Sequence, residues 1–212
     1  MKYTYTMEKI HQAIVLQPAS PQNFNYLIFD QQLGTLEIRI PKQRGIREIP
    51  RSALIHYVPQ TVNNRIVAKY VEIVATPHQW AINSIWFLHH LLELINFFVP
   101  RGGQAENIFS YVLIMYQPLS DDIDMFFFQK LFLCKFFILV GIYPEPINMQ
   151  DRQFLSLLQS HQDYKLEEQK YVFLEKKMIQ WLQECIRLHP HADRLRTMIM
   201  EPWYYEKKVT HY

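Results

Sequence analysis

The chain has 212 residues, of which 49% are hydrophobic, and a formal net charge of only +2. This hydrophobic content is enough for a folded core and excludes extended disorder. The near balance of charges excludes overall composition as evidence for a nucleic-acid partner, so any basic surface must be local.

The two cysteines, Cys134 and Cys185, are too few for a disulfide framework or for a zinc site built from cysteines. We therefore expect a cytoplasmic, reducing location. The segment Met1–Thr6 contains no apolar signal region, which disfavours secretion.

Up to Pro77 the chain consists of short β-rich runs that are separated by turn residues. The predicted strands are Ile10–Leu16, Asn25–Phe29, Gly34–Ile40, Ala53–Val58 and Ile66–Val74. In Leu36–Ile40 apolar and charged side chains alternate, which is typical of a strand with one buried face. Five short strands favour a small barrel, and the OB-fold is the commonest five-stranded form. An SH3-like barrel fits the same pattern.

After Pro77 helical patterns dominate. The predicted helices are His78–Val99, Gln104–Tyr116, a central helix through Leu131–Val140, Asp151–Gln159 and Glu167–Leu188. The central helix is apolar enough to be buried on nearly every side, and Gly141 ends it before Pro144. The sequence thus predicts an α+β protein, with an OB-like β-barrel domain at 1–76 and an α-helical bundle domain at 77–212.

The apolar stretch Ile123–Tyr143 is long enough to cross a bilayer. It contains Lys130 and Lys135, however, and each lysine near mid-span costs about 3 kcal/mol on insertion. A buried helix whose lysines reach out to solvent is cheaper. We expect no membrane contact, and a membrane-associated protein is the remote alternative.

The chain contains four segments, Gln12–Leu16, Leu27–Gly34, His90–Ile95 and Leu131–Pro144, that together resemble the RecO family of bacterial recombination mediators. Gln12–Leu16 resembles the family's first strand, and Leu27–Gly34 its second strand and hairpin. His90–Ile95 resembles the first bundle helix, and Leu131–Pro144 carries the family's Gly-x-x-Pro helix ending. The four-cysteine zinc module that many members carry after this helix is missing, since Pro146 runs almost directly into the next predicted helix.

The resemblance implies a barrel followed by a helical bundle and a non-enzymatic role in DNA repair. Such a protein binds single- and double-stranded DNA, cooperates with RecR-like and single-strand-binding proteins, and assists RecA loading near the nucleoid. In that family the helical domain binds the acidic tail of single-strand-binding protein. Lys130 and Lys135, beside several phenylalanines, are the candidate partner-binding residues. The alternative is a protein-interaction module of the same fold that has lost DNA binding.

Cations cluster in the connector Lys42–Arg51, which follows the third predicted strand, and three more lie on neighbouring strands. OB-folds bind nucleic acid with cations for the phosphates and aromatic rings for the bases. The predicted nucleic-acid-binding cations are Arg39, Lys42, Arg44, Arg47, Arg51, Arg65 and Lys69. Tyr57 and Tyr70 are candidate stacking platforms. The competing interpretation is a solvated loop that keeps the barrel soluble.

No sequence pattern indicates catalysis. The chain lacks a phosphate-binding loop, a Gly-x-Ser-x-Gly elbow and a His-Glu-x-x-His zinc motif. Asp121, Asp122 and Asp124 form its densest carboxylate group, and capping of the following helix explains them. We therefore expect that the protein has no enzymatic activity and binds no cofactor, metal or small-molecule substrate.

Overall fold

A computed structural model describes residues 9–20, 24–41, 48–103, 105–118, 124–159, 168–189 and 195. The chain divides into two compact units, Met1–Pro118 and Leu119–Tyr212. Within these residues, the first unit contains the five strands, three α-helices and a short 3-10 helix, and the second unit contains three further α-helices. The predicted boundary between residues 76 and 77 therefore falls inside the first unit.

The first unit is built on a closed five-stranded barrel with the strand order β1-β2-β3-β5-β4. The strands are β1 His11–Ser20, β2 Asn25–Asp30, β3 Gly34–Arg39, β4 Leu54–Val62 and β5 Arg65–Ala75. All neighbours are antiparallel except β3 and β5, which run parallel and are paired at Arg39 and Val67. The predicted α+β class, with an OB-like barrel followed by helices, is confirmed.

One face of each strand fills the barrel. The interior includes Ala13, Val15, Tyr26, Ile28, Ile38, Ile55, Ala68 and Val71. Side chains of a strand alternate between its two faces, so Phe29 belongs to the outer face of β2 although it is fully buried. Its ring meets Phe109 edge-on at 5.2 Å between centroids, because a helix covers the barrel there.

In the described residues, this unit is completed by three α-helices, α1 His78–Asn83, α2 Ile85–Phe98 and α3 Glu106–Val112, and by a short 3-10 helix, Leu113–Tyr116, that follows α3. The single predicted helix His78–Val99 is broken at Ser84, whose φ of −156° lies outside the helical region. Serine competes for backbone hydrogen bonds, so it interrupts helices readily.

Hydrogen bonds attach these helices to the barrel. The hydroxyl of Thr35 donates to the carbonyl of Val99 at 3.1 Å, and Tyr116 donates to the carbonyl of Ser52 at 2.7 Å. These long-range bonds explain why the first unit does not end where the strands end.

A single buried carboxylate joins several parts of the barrel. Asp30 is fully buried, and its Oδ1 accepts hydrogen bonds from the backbone amides of Gln32 and Leu33, both at 2.8 Å. Its Oδ2 accepts from the hydroxyl of Tyr57 at 2.9 Å and lies 3.1 Å from Nδ1 of His11. The Asp30 side chain thereby fixes the β2–β3 turn and ties it to the facing strands β1 and β4.

The same turn ends at Gly34, which has a φ of +68°. A Cβ at this position would lie 2.5 Å from the carbonyl oxygen of Pro100 and 2.9 Å from that of Gly103. The backbone amide of Thr35 also donates to Pro100 at 3.3 Å. The segment Pro100–Gly103, which we call the α2–α3 connector, is therefore packed directly against the hairpin.

The second unit contains α4 Met125–Val140, α5 Met149–Gln159 and α6 Glu168–Arg187. The carboxylate of Asp124 caps α4 by accepting from the amides of Phe126 and Phe127. Gly141, with a φ of +77°, ends the helix as predicted. Asp121 and Asp122 lie outside the described residues.

Lys130 does not reach solvent, contrary to the sequence-based expectation. Its side chain is fully buried and its ammonium pairs with Glu175 of α6, which is 28% exposed. Helix α4 is buried on most sides, so the stem of Lys130 points toward α6 rather than outward.

Burial also raises the pKa of the Cys134 and Cys185 thiols, which keeps both protonated and unreactive.

A second ion pair joins α5 to α6 nearer the surface. Lys177 Nζ lies 3.1 Å from Oδ1 of Asp151 and 5.2 Å from the centre of the Phe154 ring. The hydrogen bond from Lys177 is the main cause of the lowered pKa of Asp151.

No helix within the described part of the chain is both long and apolar enough to span a membrane.

Replacement of Gly34 by alanine should lower the free energy of unfolding by about 3 kcal/mol or more. The left-handed backbone costs about 1–2 kcal/mol for a residue with a Cβ, and two carbonyl oxygens must also move. Gly102 is the matched control, because its φ is +69° but nothing lies within 4 Å of a Cβ there. Gly102→Ala should show only the backbone cost, measured by chemical denaturation. Equal losses in the two variants would contradict the close approach at Gly34.

The loss in free energy of unfolding should depend on which partner of the buried Lys130–Glu175 pair is replaced. Lys130→Met keeps an apolar stem and should change the free energy of unfolding by less than about 1 kcal/mol, whereas Glu175→Gln should cost about 3 kcal/mol because it weakens the compensation of a buried ammonium. Lys177→Met, which breaks the more exposed pair, should cost about 1 kcal/mol or less. Denaturation curves of the three variants measure this order, and a Lys130→Met loss equal to that of Glu175→Gln would contradict it.

Candidate nucleic-acid interface

Three of the predicted cations stand on one outer face of the barrel. Arg39 pairs with Val67 across the β3–β5 junction, so the two side chains point to the same side of the sheet. Arg65 and Lys69 lie two residues before and after Val67 and share that side. Arg39 and Arg65 are exposed, and Lys69 is half-buried. We call this surface, together with the exposed Tyr70 that follows Lys69, the β3–β5 face.

The β4–β5 hairpin fixes the position of Arg65. Asn63 and Asn64 have φ values of +49° and +58°, and Val62 pairs with Arg65, which defines a two-residue turn of type I′. Asparagine tolerates the left-handed region better than most residues. Strand β4 continues through Val62. Arg65 therefore opens β5 directly at the hairpin.

Tyr70 is the exposed aromatic residue of this face. The β4–β5 register shifts between His56 and Val58, and the extra residue on β5 lies beside Lys69. Tyr70 has a φ of +50° there and is 76% exposed. A bulge of this kind turns a side chain away from its alternating position. The ring of Tyr70 consequently projects outward next to a cation.

Tyr57, the other predicted stacking platform, does not reach the surface. It is fully buried, and its hydroxyl donates to Asp30. Burial first, and then the negative charge of Asp30 and this hydrogen bond, raise the pKa of Tyr57. The prediction for Tyr57 is wrong because this residue follows Ala53 and Ile55 at two-residue spacing, which puts all three side chains on the interior face. That spacing was the signal in the sequence.

Two carboxylates interrupt the basic surface. Glu37 precedes Arg39 by two residues on the outer side of β3, and Glu72 follows Tyr70 on β5; both are exposed. Three cations against two carboxylates leave a modest local excess of positive charge. The β3–β5 face is thus a short basic strip with acidic neighbours and not a broad positive patch.

The connector that the sequence favoured is described only in part. Lys42, Arg44 and Arg47 lie outside the described residues. Arg51 is described, and its Nε donates to the carbonyl of Leu16 on β1 at 2.8 Å. Its positive charge, after burial, also lowers the pKa of His89 on α2. Arg51 therefore lies on the β1 side of the barrel, and the structure does not bring it to the β3–β5 face.

The predicted partner-binding lysines have different surroundings. Lys130 is buried against α6 and paired with Glu175, so its ammonium does not line a surface groove. Lys135, five residues further along α4, is half-buried. Phe126 and Leu139 of the same helix are 36% and 41% exposed. Of the two lysines, only Lys135 is placed to reach a peptide on α4.

No three histidine, cysteine, aspartate or glutamate side chains come together as metal ligands in the described part of the chain. The closest polar cluster, His11 with Asp30 and Tyr57, is a buried network between strands. It supplies structural hydrogen bonds within the barrel, where its carboxylate is already satisfied on both oxygens.

Tyr57→Phe should destabilise the protein by about 1.5–3 kcal/mol, the range for a buried hydrogen bond to a charged group. Tyr70→Phe removes the same hydroxyl from a residue that is largely exposed, and it should leave the free energy of unfolding within about 0.5 kcal/mol of the parent. Chemical denaturation of both variants measures the difference. A neutral Tyr57→Phe would show that the hydroxyl does not support the buried Asp30.

Comparison with known proteins assigns no family to this chain. No protein-family model matches it, and no curated protein matches it significantly. The function must therefore be argued from the β3–β5 face itself.

Proposed function

We propose that this protein binds nucleic acid, with single-stranded DNA as the main ligand, through the β3–β5 face. The observation that carries the proposal is the placement of Arg39, Arg65 and Lys69 on one outer face beside the exposed ring of Tyr70. Cations that follow a backbone and a ring that stacks on a base are the two elements of single-strand binding by OB-folds.

In this mechanism each component has a separate role. The cations attract phosphates and release their counterions, which supplies sequence-independent affinity. Tyr70 stacks on an unpaired base, which every base permits because each has a π-face. Bases in a duplex are already stacked on each other, so duplex DNA gains only the phosphate contacts. Binding should therefore favour single strands while still permitting duplex contact.

At a finer level, the proposed role is that of a non-enzymatic recombination mediator of the RecO type. The support is the order of an OB-like barrel followed by helices, together with the segments that resemble the family. In this role the protein would act in DNA repair near the nucleoid, cooperate with RecR-like and single-strand-binding proteins, and assist RecA loading. Lys135 is the remaining candidate for contact with an acidic partner peptide.

The second candidate is a protein-interaction module that keeps the fold without DNA binding. Glu37 and Glu72 favour it, because carboxylates beside the cations repel phosphates and lower the local potential. This candidate requires measurable peptide binding together with no affinity for DNA, so the same titration separates the two functions.

The triple variant Arg39→Ala, Arg65→Ala, Lys69→Ala should weaken binding to labelled single-stranded DNA. Because each neutralised phosphate contributes about 0.7 to the slope of log affinity against log salt, the slope should flatten by about 2. Fluorescence anisotropy at several salt concentrations measures both quantities.

The matched control is Arg152→Ala, Lys176→Ala, Arg187→Ala, which removes three exposed cations from the helical unit. It changes the net charge equally and should leave the slope within about 0.5 of the parent. No binding by the parent protein would overturn the proposed function, and equal effects of the two triple variants would overturn its assignment to this face.

A further inference from the structure

We infer that the nucleic-acid surface extends beyond the barrel strands to Arg101 of the α2–α3 connector, which would hold a phosphate at the far end of β3. This inference rests on the proposed function. Arg101 lies between helices in the sequence, far from the barrel segment, and no local pattern marks it as a binding residue. The structure places it in backbone bridges with Gly34 and Thr35, at the start of β3.

The geometry puts Arg101 and Arg39 at opposite ends of one strand. Thr35, Glu37 and Arg39 alternate onto the outer side of β3, and four steps of about 3.4 Å separate the first from the last by about 14 Å. Thr35 itself is buried beneath the end of α2, because its hydroxyl donates to Val99. The backbone of Arg101 lies beside this position, and its side chain is exposed there.

Close packing holds the connector in this place. Gly34 has no Cβ to separate the hairpin from the carbonyls of Pro100 and Gly103, and the amide of Thr35 donates to Pro100. The backbone of Arg101 is thus fixed on the barrel before any ligand arrives. A cation whose backbone is already fixed needs less ordering on binding than one on a free loop.

Glu37 lies between the two arginines and explains how a strand would pass. Its carboxylate repels a phosphate, but it accepts hydrogen bonds from base amino groups such as that of cytosine. A bound strand would therefore place phosphates at Arg101 and Arg39 and a base near Glu37. The arrangement directs the strand along β3 and onto the Arg65 and Lys69 end of the β3–β5 face.

The test is single-strand binding by Arg101→Ala and Arg101→Lys. Arg101→Ala should weaken binding about fivefold near 0.1 M salt, a typical effect of one exposed charge contact, and should flatten the salt slope by about 0.7. Arg101→Lys keeps the charge and should restore most of the slope. Unchanged denaturation midpoints show that neither substitution has destabilised the fold.

Two further variants separate this inference from the proposed function. Arg39→Ala should weaken binding in the same way, and Arg152→Ala, on α5 of the second unit, should not. If Arg39→Ala weakens binding while Arg101→Ala matches the parent, the extension to Arg101 is overturned and the β3–β5 face stands. If neither Arg39→Ala nor Arg101→Ala changes binding, the extension to Arg101 and the assignment to the β3–β5 face are both overturned. A loss in Arg101→Ala that Arg101→Lys does not restore overturns the role of Arg101 as a phosphate-binding charge.

Discussion

The buried carboxylate of Asp30 is the constraint on which the first unit depends. An ionised group inside a barrel is costly unless its oxygens are hydrogen-bonded, and here two amides, Tyr57 and His11 surround it. These bonds set the β2–β3 turn, and the turn ends at Gly34. Since the α2–α3 connector packs against Gly34, the same carboxylate indirectly determines where the helices meet the barrel and where β3 presents its outer side chains.

The helices make the barrel asymmetric, and this asymmetry decides where a ligand has access. Leu27 and Phe29 on the outer side of β2 are buried, and Phe29 meets α3. An OB-fold commonly binds its ligand over strands 2 and 3, but here part of that surface is already occupied by the protein's own helices. What remains open is the side of β3 that adjoins β5. The cations found there are therefore on accessible surface, while Arg51 is held against β1.

Local patterns predicted the strands, the order of barrel and helices, and the end of α4 at Gly141, because strand alternation and helix capping depend on neighbouring residues. The residues whose surroundings were not predicted depend on contacts distant in sequence. Lys130 is buried because Glu175, on another helix, is there to pair with it. Arg101 reaches β3 only through the pairing of its connector with Gly34. Tyr57 is an intermediate case. Its spacing of two residues from Ile55 indicated the interior face, although an aromatic ring in an OB-like barrel suggested a stacking role at the surface.

Tyr70 has a left-handed backbone conformation that is rare for a bulky side chain. The other non-glycine residues with positive φ that the structure describes, Phe24, Ser52, Asn63 and Asn64, lie at turns, where the chain must reverse. Tyr70 lies inside a strand, where a left-handed backbone costs a bulky residue about 1–3 kcal/mol. With 76% of its surface exposed, its ring recovers little of that cost by burial. The bulge displays an aromatic ring beside Lys69, and this is the position that the proposed stacking on a base requires.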